Sequence, residues 1–153
     1  DVGYGQLAWE IRNDDRVTVL DRTNVRHLTV EQIGDPVDLV VADLSFISLT
    51  LVLPALVSVS KSGADFLVMV KPQFEVGREK LGAGGVVRDP ALRKAAVKEV
   101  ADSAYDMGLG CYGVVASTLP GPSGNVEYFL WLNRLGAQLT REVAEAAIAQ
   151  GPK

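Results

Sequence analysis

Three short, unbroken apolar runs constrain this chain most: VTVL at residues 17–20, VDLVVA at 37–42 and FLVMV at 66–70. Runs of this length, rich in Val, Leu and Phe, suit strands covered on both faces, as in parallel sheets. Between the second and third lies ISLTLVLPALVSVSK, long enough for a crossover helix, with Ser48 as its cap and Pro54 confined to the first turn or a kink. The rhythm is βαβ, and open sheets of this kind bind ligands outside the carboxyl ends of their strands.

Three ionisable residues sit at the ends of such runs. Asp43 closes VDLVVAD, Lys71 closes FLVMVK, and Glu127 opens VEYFLWL. A charge inside an apolar core is costly, so each belongs at an end rather than within a strand. Taken singly, each is as readily a solvent residue; taken together, they predict a shared rim. A partly desolvated lysine held beside carboxylates can handle a proton, although the carboxylates favour its charged form.

Downstream, Asp89-Pro90 reads as an N-cap followed by proline at the first helical position, opening a helix that ends near Gly108 and lines Leu92, Ala96, Val100 and Ala104 along one face. CYGVVASTL and VEYFLWLNR are joined by PGPSGN, which leaves no room for a helix and predicts an antiparallel hairpin. A last helix is expected from Thr140 to Gln150. The architecture is therefore one α/β domain with a mostly parallel sheet and one antiparallel strand near the C-terminus. GYGQLA and GAGG carry glycine without the spacing or context of a nucleotide loop, and neither supports an NTPase.

Composition narrows the chemistry. One cysteine, Cys111, and one histidine, His27, cannot build a disulfide framework or a His/Cys zinc site, so the chemistry is expected to be metal-independent or at most to use a carboxylate-bound metal. No apolar run reaches the roughly 20 residues of a membrane helix, and the chain reads as soluble and cytoplasmic. The net charge of −4 is unevenly spread: residues 1–70 carry 5 basic and 10 acidic side chains, residues 71–100 carry 7 and 4. Arg78, Lys80, Arg88, Arg93, Lys94 and Lys98 all follow Lys71, so a polyanion could approach that side; a solvated helix face is the plainer alternative.

The segments VVADLSFIS, VMVKPQFE, GGVVRDP and STLPGPSGNVEYFLW together resemble the TlyA group of haemolysin-related ribosomal RNA methyltransferases, within the FtsJ-like 2′-O-methyltransferase superfamily. The resemblance covers nearly all of the chain. It implies a Rossmann-like sheet, S-adenosylmethionine as cofactor, and methylation of a ribose 2′-hydroxyl in ribosomal RNA or ribosomal subunits. The superfamily uses a Lys-Asp-Lys-Glu tetrad, and Asp43, Lys71 and Glu127 match its last three members. By the same resemblance Lys71 orients and helps deprotonate the hydroxyl, Asp43 and Glu127 position the lysine, and in-line alignment supplies much of the rate. Asp1 matches the acidic residue that holds the cofactor ribose, Asn24 and Val25 lie near adenine, and Asp43 also faces the cofactor. Arg78, Lys80 and Arg88 are the expected RNA contacts.

The resemblance also implies elements that would precede Asp1: a first strand with a glycine-rich cofactor loop, the tetrad's first lysine, and a small RNA-binding domain. The chain is thus expected to be the C-terminal portion of a methyltransferase domain, incomplete at the N-terminus and inactive alone. A small-molecule methyltransferase and a noncatalytic RNA-binding module are the competing readings. A membrane-active haemolysin finds no support in the hydropathy.

Overall fold

The computed structural model describes residues 1–121 and 123–152. The chain opens with two single-turn helices, α1 (Trp9–Arg12) and α2 (Val30–Ile33), before the first strand, β1 (Val37–Ala42). A 3-10 turn at Leu49–Leu51 leads into α3 (Leu53–Ser58), where Ser48 Oγ accepts from the Thr50 amide and Pro54 falls in the first turn. β2 (Ser60–Val70), α4 (Pro72–Glu75) and the long α5 (Pro90–Asp106) follow, then β3 (Gly110–Ala116), β4 (Tyr128–Asn133) and α6 (Arg141–Gln150).

The sheet order is β1-β2-β4-β3. β1 lies parallel to β2, while β4 runs antiparallel to both β2 and β3. Three strands therefore point one way and β4 alone opposes them, as the hairpin signal predicts. Asp89 caps α5 by accepting from the Ala91 amide at 2.8 Å, and Thr140 caps α6. Both caps satisfy backbone donors that have no partner within the helix.

One face of the sheet carries the core. Val40, Phe66, Val68, Val70, Tyr128, Leu130 and Leu132 pack against Val97, Val100 and Ala104 of α5, Ala144 of α6 and Leu53 of α3. Burying side chains of this size contributes roughly 1.5–3 kcal/mol each. On the other face, Val41 is 66% and Leu39 58% exposed. Cover on both faces, expected from the apolar runs, is therefore not found among the described residues.

VTVL is a second departure. Residues 17–20 form no strand; they run beside the N-terminus, whose ammonium donates to the Leu20 carbonyl at 3.0 Å. Arg22 and Thr23 then donate to the carbonyls of Gly3 and Asp1. Two such bonds make a clasp, not a ladder.

Candidate active site

Because β1 and β2 are parallel, their last residues emerge at one edge of the sheet, and β4 starts from that edge because it runs the other way. Asp43 follows β1, Lys71 follows β2, and Glu127 precedes β4. Topology alone gives them a common rim. The side chains then bring two together: Lys71 Nζ lies 2.7 Å from Asp43 Oδ1, with the lysine side chain 12% and the aspartate 64% exposed. Ser45 Oγ accepts a further bond from the same ammonium at 3.3 Å. An ion pair open to water on one side adds little stability, so its effect here is to fix the amine.

Glu127 is held separately, since no hydrogen bond or ion pair links it or Gln73 to Lys71 among the described residues. The last pair of the register, Val70 with Tyr128, puts Lys71 and Glu127 at the same end of the sheet. Glu127 is buried, and its carboxylate accepts from Gln73 Nε2 at 3.1 Å. The carbonyl Oε1 of Gln73 is itself buried without a partner among the described residues. Gln73 was invisible as a site residue in the sequence, since nothing in KPQFE reveals a partner 54 residues away.

The loop after Asp43 is held under tension at one end and fastened at the other. Phe46 adopts φ 62°, is 90% exposed, and lies 5.1 Å from the ring of Phe74. A left-handed backbone costs an ordinary residue about 1–2 kcal/mol, and such strain clusters at binding sites. The loop is closed by Glu75, which accepts from Ser48 Oγ at 2.5 Å and from the Leu49 amide at 2.9 Å. Burial pushes the Glu75 carboxyl above its usual range, and those two bonds oppose the rise.

The residues assigned to a cofactor lie on the N-terminal segment. Asp1 lines a cleft of about 390 Å³ with Gly3, Gln6, Leu7, Leu20 and Asp21, and its carboxylate accepts from the Gly3 amide. Asn24 Oδ1 is occupied as a cap, accepting from the Arg26 amide at 3.1 Å, and Val25 packs against the main core. A cleft of about 640 Å³ lies elsewhere, between the start of α5 and the end of α6, and contains none of the rim residues.

The basic middle of the sequence divides in two. Arg78, Lys80 and Arg88 are exposed and form no ion pair among the described residues. Lys94 is tied to Glu145 at 2.6 Å and Lys98 to Asp102 at 2.6 Å. Arg93 donates to the Arg88 carbonyl at 2.7 Å. The loop cations are thus available to a polyanion, whereas those of α5 are engaged within the protein.

The sheet, with one reversed strand beside its parallel pair, and the family match together place the chain in the methyltransferase class of α/β folds. The chain belongs to the FtsJ-like methyltransferase family, whose model matches residues 1–134. It is 59% identical to the 16S/23S rRNA (cytidine-2′-O)-methyltransferase TlyA of Mycobacterium tuberculosis over 99% of this chain and 59% of that protein. It is 42% identical to YqxC of Bacillus subtilis over 97% of this chain and 53% of that protein. A hemolysin-named structure from Streptococcus thermophilus superposes with a TM-score of 0.91 at 34% identity, covering 98% of this chain and 55% of that one. The chain therefore spans between half and two thirds of the length of these relatives. Among the described residues no helix is long and apolar enough to cross a membrane.

Proposed function

We propose that the chain is the C-terminal portion of the methyltransferase domain of a ribosomal RNA ribose 2′-O-methyltransferase, acting on ribosomal RNA or ribosomal subunits in the cytoplasm with S-adenosylmethionine. One observation carries the reading: a largely buried lysine side chain whose amine is fixed by Asp43 and Ser45, at the strand rim where Glu127 also lies. The rRNA 2′-O-methyltransferase TlyA, 59% identical, supports the substrate class.

Lys71 is placed to hold the ribose 2′-oxygen and assist departure of its proton, while Asp43 and Ser45 keep the amine from swinging away. Glu127, oriented by Gln73, supplies negative charge at the same rim. The cofactor, when bound, supplies an electrophilic methyl group on a positive sulfur. Asp1, Asn24, Val25 and Asp43 are assigned to hold it. The chemistry of the residues fits, since the exposed Asp1 carboxylate on the N-terminal cleft suits ribose hydroxyl donors. Arg78, Lys80 and Arg88 are assigned to the RNA phosphates, and the exposed ring of Phe46, tilted 47° against the half-buried Phe74, offers a face to an unstacked base.

The first strand, the fourth tetrad member and the RNA-binding domain belong, in this reading, to sequence that would precede Asp1. The unpaired edge of β1 is where that strand would lie. The test is Lys71→Ala in the intact protein: methyl transfer to ribosomal RNA is lost while RNA binding persists. Full transfer by the variant would exclude the assignment.

A further inference from the structure

The cationic loop and the catalytic hairpin are joined at one side chain. Asn125 is 3% exposed and lies two residues before Glu127. Its Oδ1 accepts from the Val87 amide at 2.9 Å, and its Nδ2 donates to the Gly85 carbonyl at 3.1 Å. Its backbone carbonyl accepts from the Gly121 amide at 2.9 Å, closing the turn of its own hairpin. That turn presses on the site: a Cβ placed on Gly121 would stand 2.8 Å from Glu127 Oε1. One asparagine therefore holds backbone on both sides of the divide between the loop and the rim.

The loop's other ties are the Arg93 guanidinium on the Arg88 carbonyl and the Gly82 amide on the Val86 carbonyl, neither of which reaches the hairpin. Under the loop lies a small cluster of three buried residues, Val76, Val87 and Ala96, separate from the main core and joined by the half-buried Leu81 and Leu92. Gly84 and Gly85, at φ 75° and 74°, give the turn a backbone that other residues resist. The Asn125 bonds fall at Gly85 and Val87, immediately before Arg88. Removing a buried partner leaves both backbone groups unsatisfied, so the loop would have to open or find water.

We propose that Asn125 is a positioning residue: it latches the loop bearing Arg78, Lys80 and Arg88 to the Glu127 hairpin, so that RNA bound by those cations is presented in register with the rim. This deepens the ribosomal RNA reading above and rests on it. A purely structural asparagine would lower stability without making the worth of Arg88 depend on it, and a double-mutant cycle separates the two.

The cycle uses the intact protein and a ribosomal RNA fragment, with wild type, Arg88→Ala, Asn125→Ala and the double variant. Arg88→Ala is expected to weaken RNA binding about five- to tenfold in the wild-type background and less than twofold once Asn125 is gone. An equal factor in both backgrounds overturns the proposal. Amide exchange supplies a readout independent of RNA: residues 85–88 should exchange about tenfold faster in Asn125→Ala while β2 is unchanged. Unaltered exchange in the loop would also overturn the latch. Asn125→Asp keeps the acceptor for Val87 and loses the donor to Gly85, so it should fall between wild type and Asn125→Ala, which guards against a variant that fails to fold. If Arg88→Ala has no effect even in wild type, the RNA assignment fails while the exchange result stands for the latch alone.

Discussion

Residues 1–36 and residues 37–152 hold their proposed site residues in opposite ways. The second region places Asp43, Lys71 and Glu127 through strand register and a buried core. The first places Asp1 and Asn24 on a segment in which no residue is buried and in which Val2, Tyr4 and Trp9 are 66–73% exposed. Its order comes from clasps such as Arg12–Asp21 at 2.7 Å and the stacking of Arg22 over Tyr4 at 4.5 Å. The lesson is that the residues proposed for catalysis are preorganised by packing, whereas those proposed for the cofactor rest on surface bonds that water can replace.

Paired core substitutions test that contrast at its largest. Phe66→Ala should cost about 3–5 kcal/mol in denaturant unfolding, whereas Trp9→Ala should stay within about 0.5 kcal/mol, since an exposed side chain leaves no cavity. Comparable losses would show that the N-terminal segment shares the core's cooperativity. Within the catalytic region, Gln73→Leu removes the donor to a buried carboxylate; kcat of the intact enzyme should fall about ten- to a hundredfold, read by methyl incorporation. A change confined to KM would instead assign Gln73 to substrate binding. Asp89→Ala deletes the α5 cap and should lower stability by about 1 kcal/mol in the same unfolding experiment.

The smallest expected effect is a pH dependence. Glu75 has a folded-state pKa above its ordinary value, so folding favours its protonated form. That contribution is present below the unfolded pKa and is lost as pH rises through the folded one. Glu75→Gln should therefore flatten the fall in melting temperature above the usual glutamate range relative to wild type. Parallel profiles for the two proteins would remove Glu75 from the account.

What the sequence reveals follows the range of the interactions. Asp43, Lys71 and Glu127 are legible because each interrupts an apolar run, and the Asp89-Pro90 cap because its signal lies within four residues. Gln73, Ser45, Glu75 and Asn125 are not, because their partners lie 26 to 54 residues away and depend on which loops the topology brings together. VTVL fails for a related reason: an apolar run states a preference for pairing but does not supply a partner. The basic middle is legible as composition only, since Glu145 and Asp102, which pair two of its six cations after Lys71, are visible only once α6 packs on α5 and α5 turns on itself.

The open edge of β1 also makes the fold answer to mass action. Whatever pairs along that edge does so only with the folded chain, so it raises the melting temperature as its concentration rises. With Leu39 and Val41 bare beside the unpaired backbone, a second copy of the chain is an available partner. The melting temperature of the isolated chain should therefore climb with protein concentration, and Val41→Lys should abolish the climb. A concentration-independent melting temperature would mean that the edge is already protected.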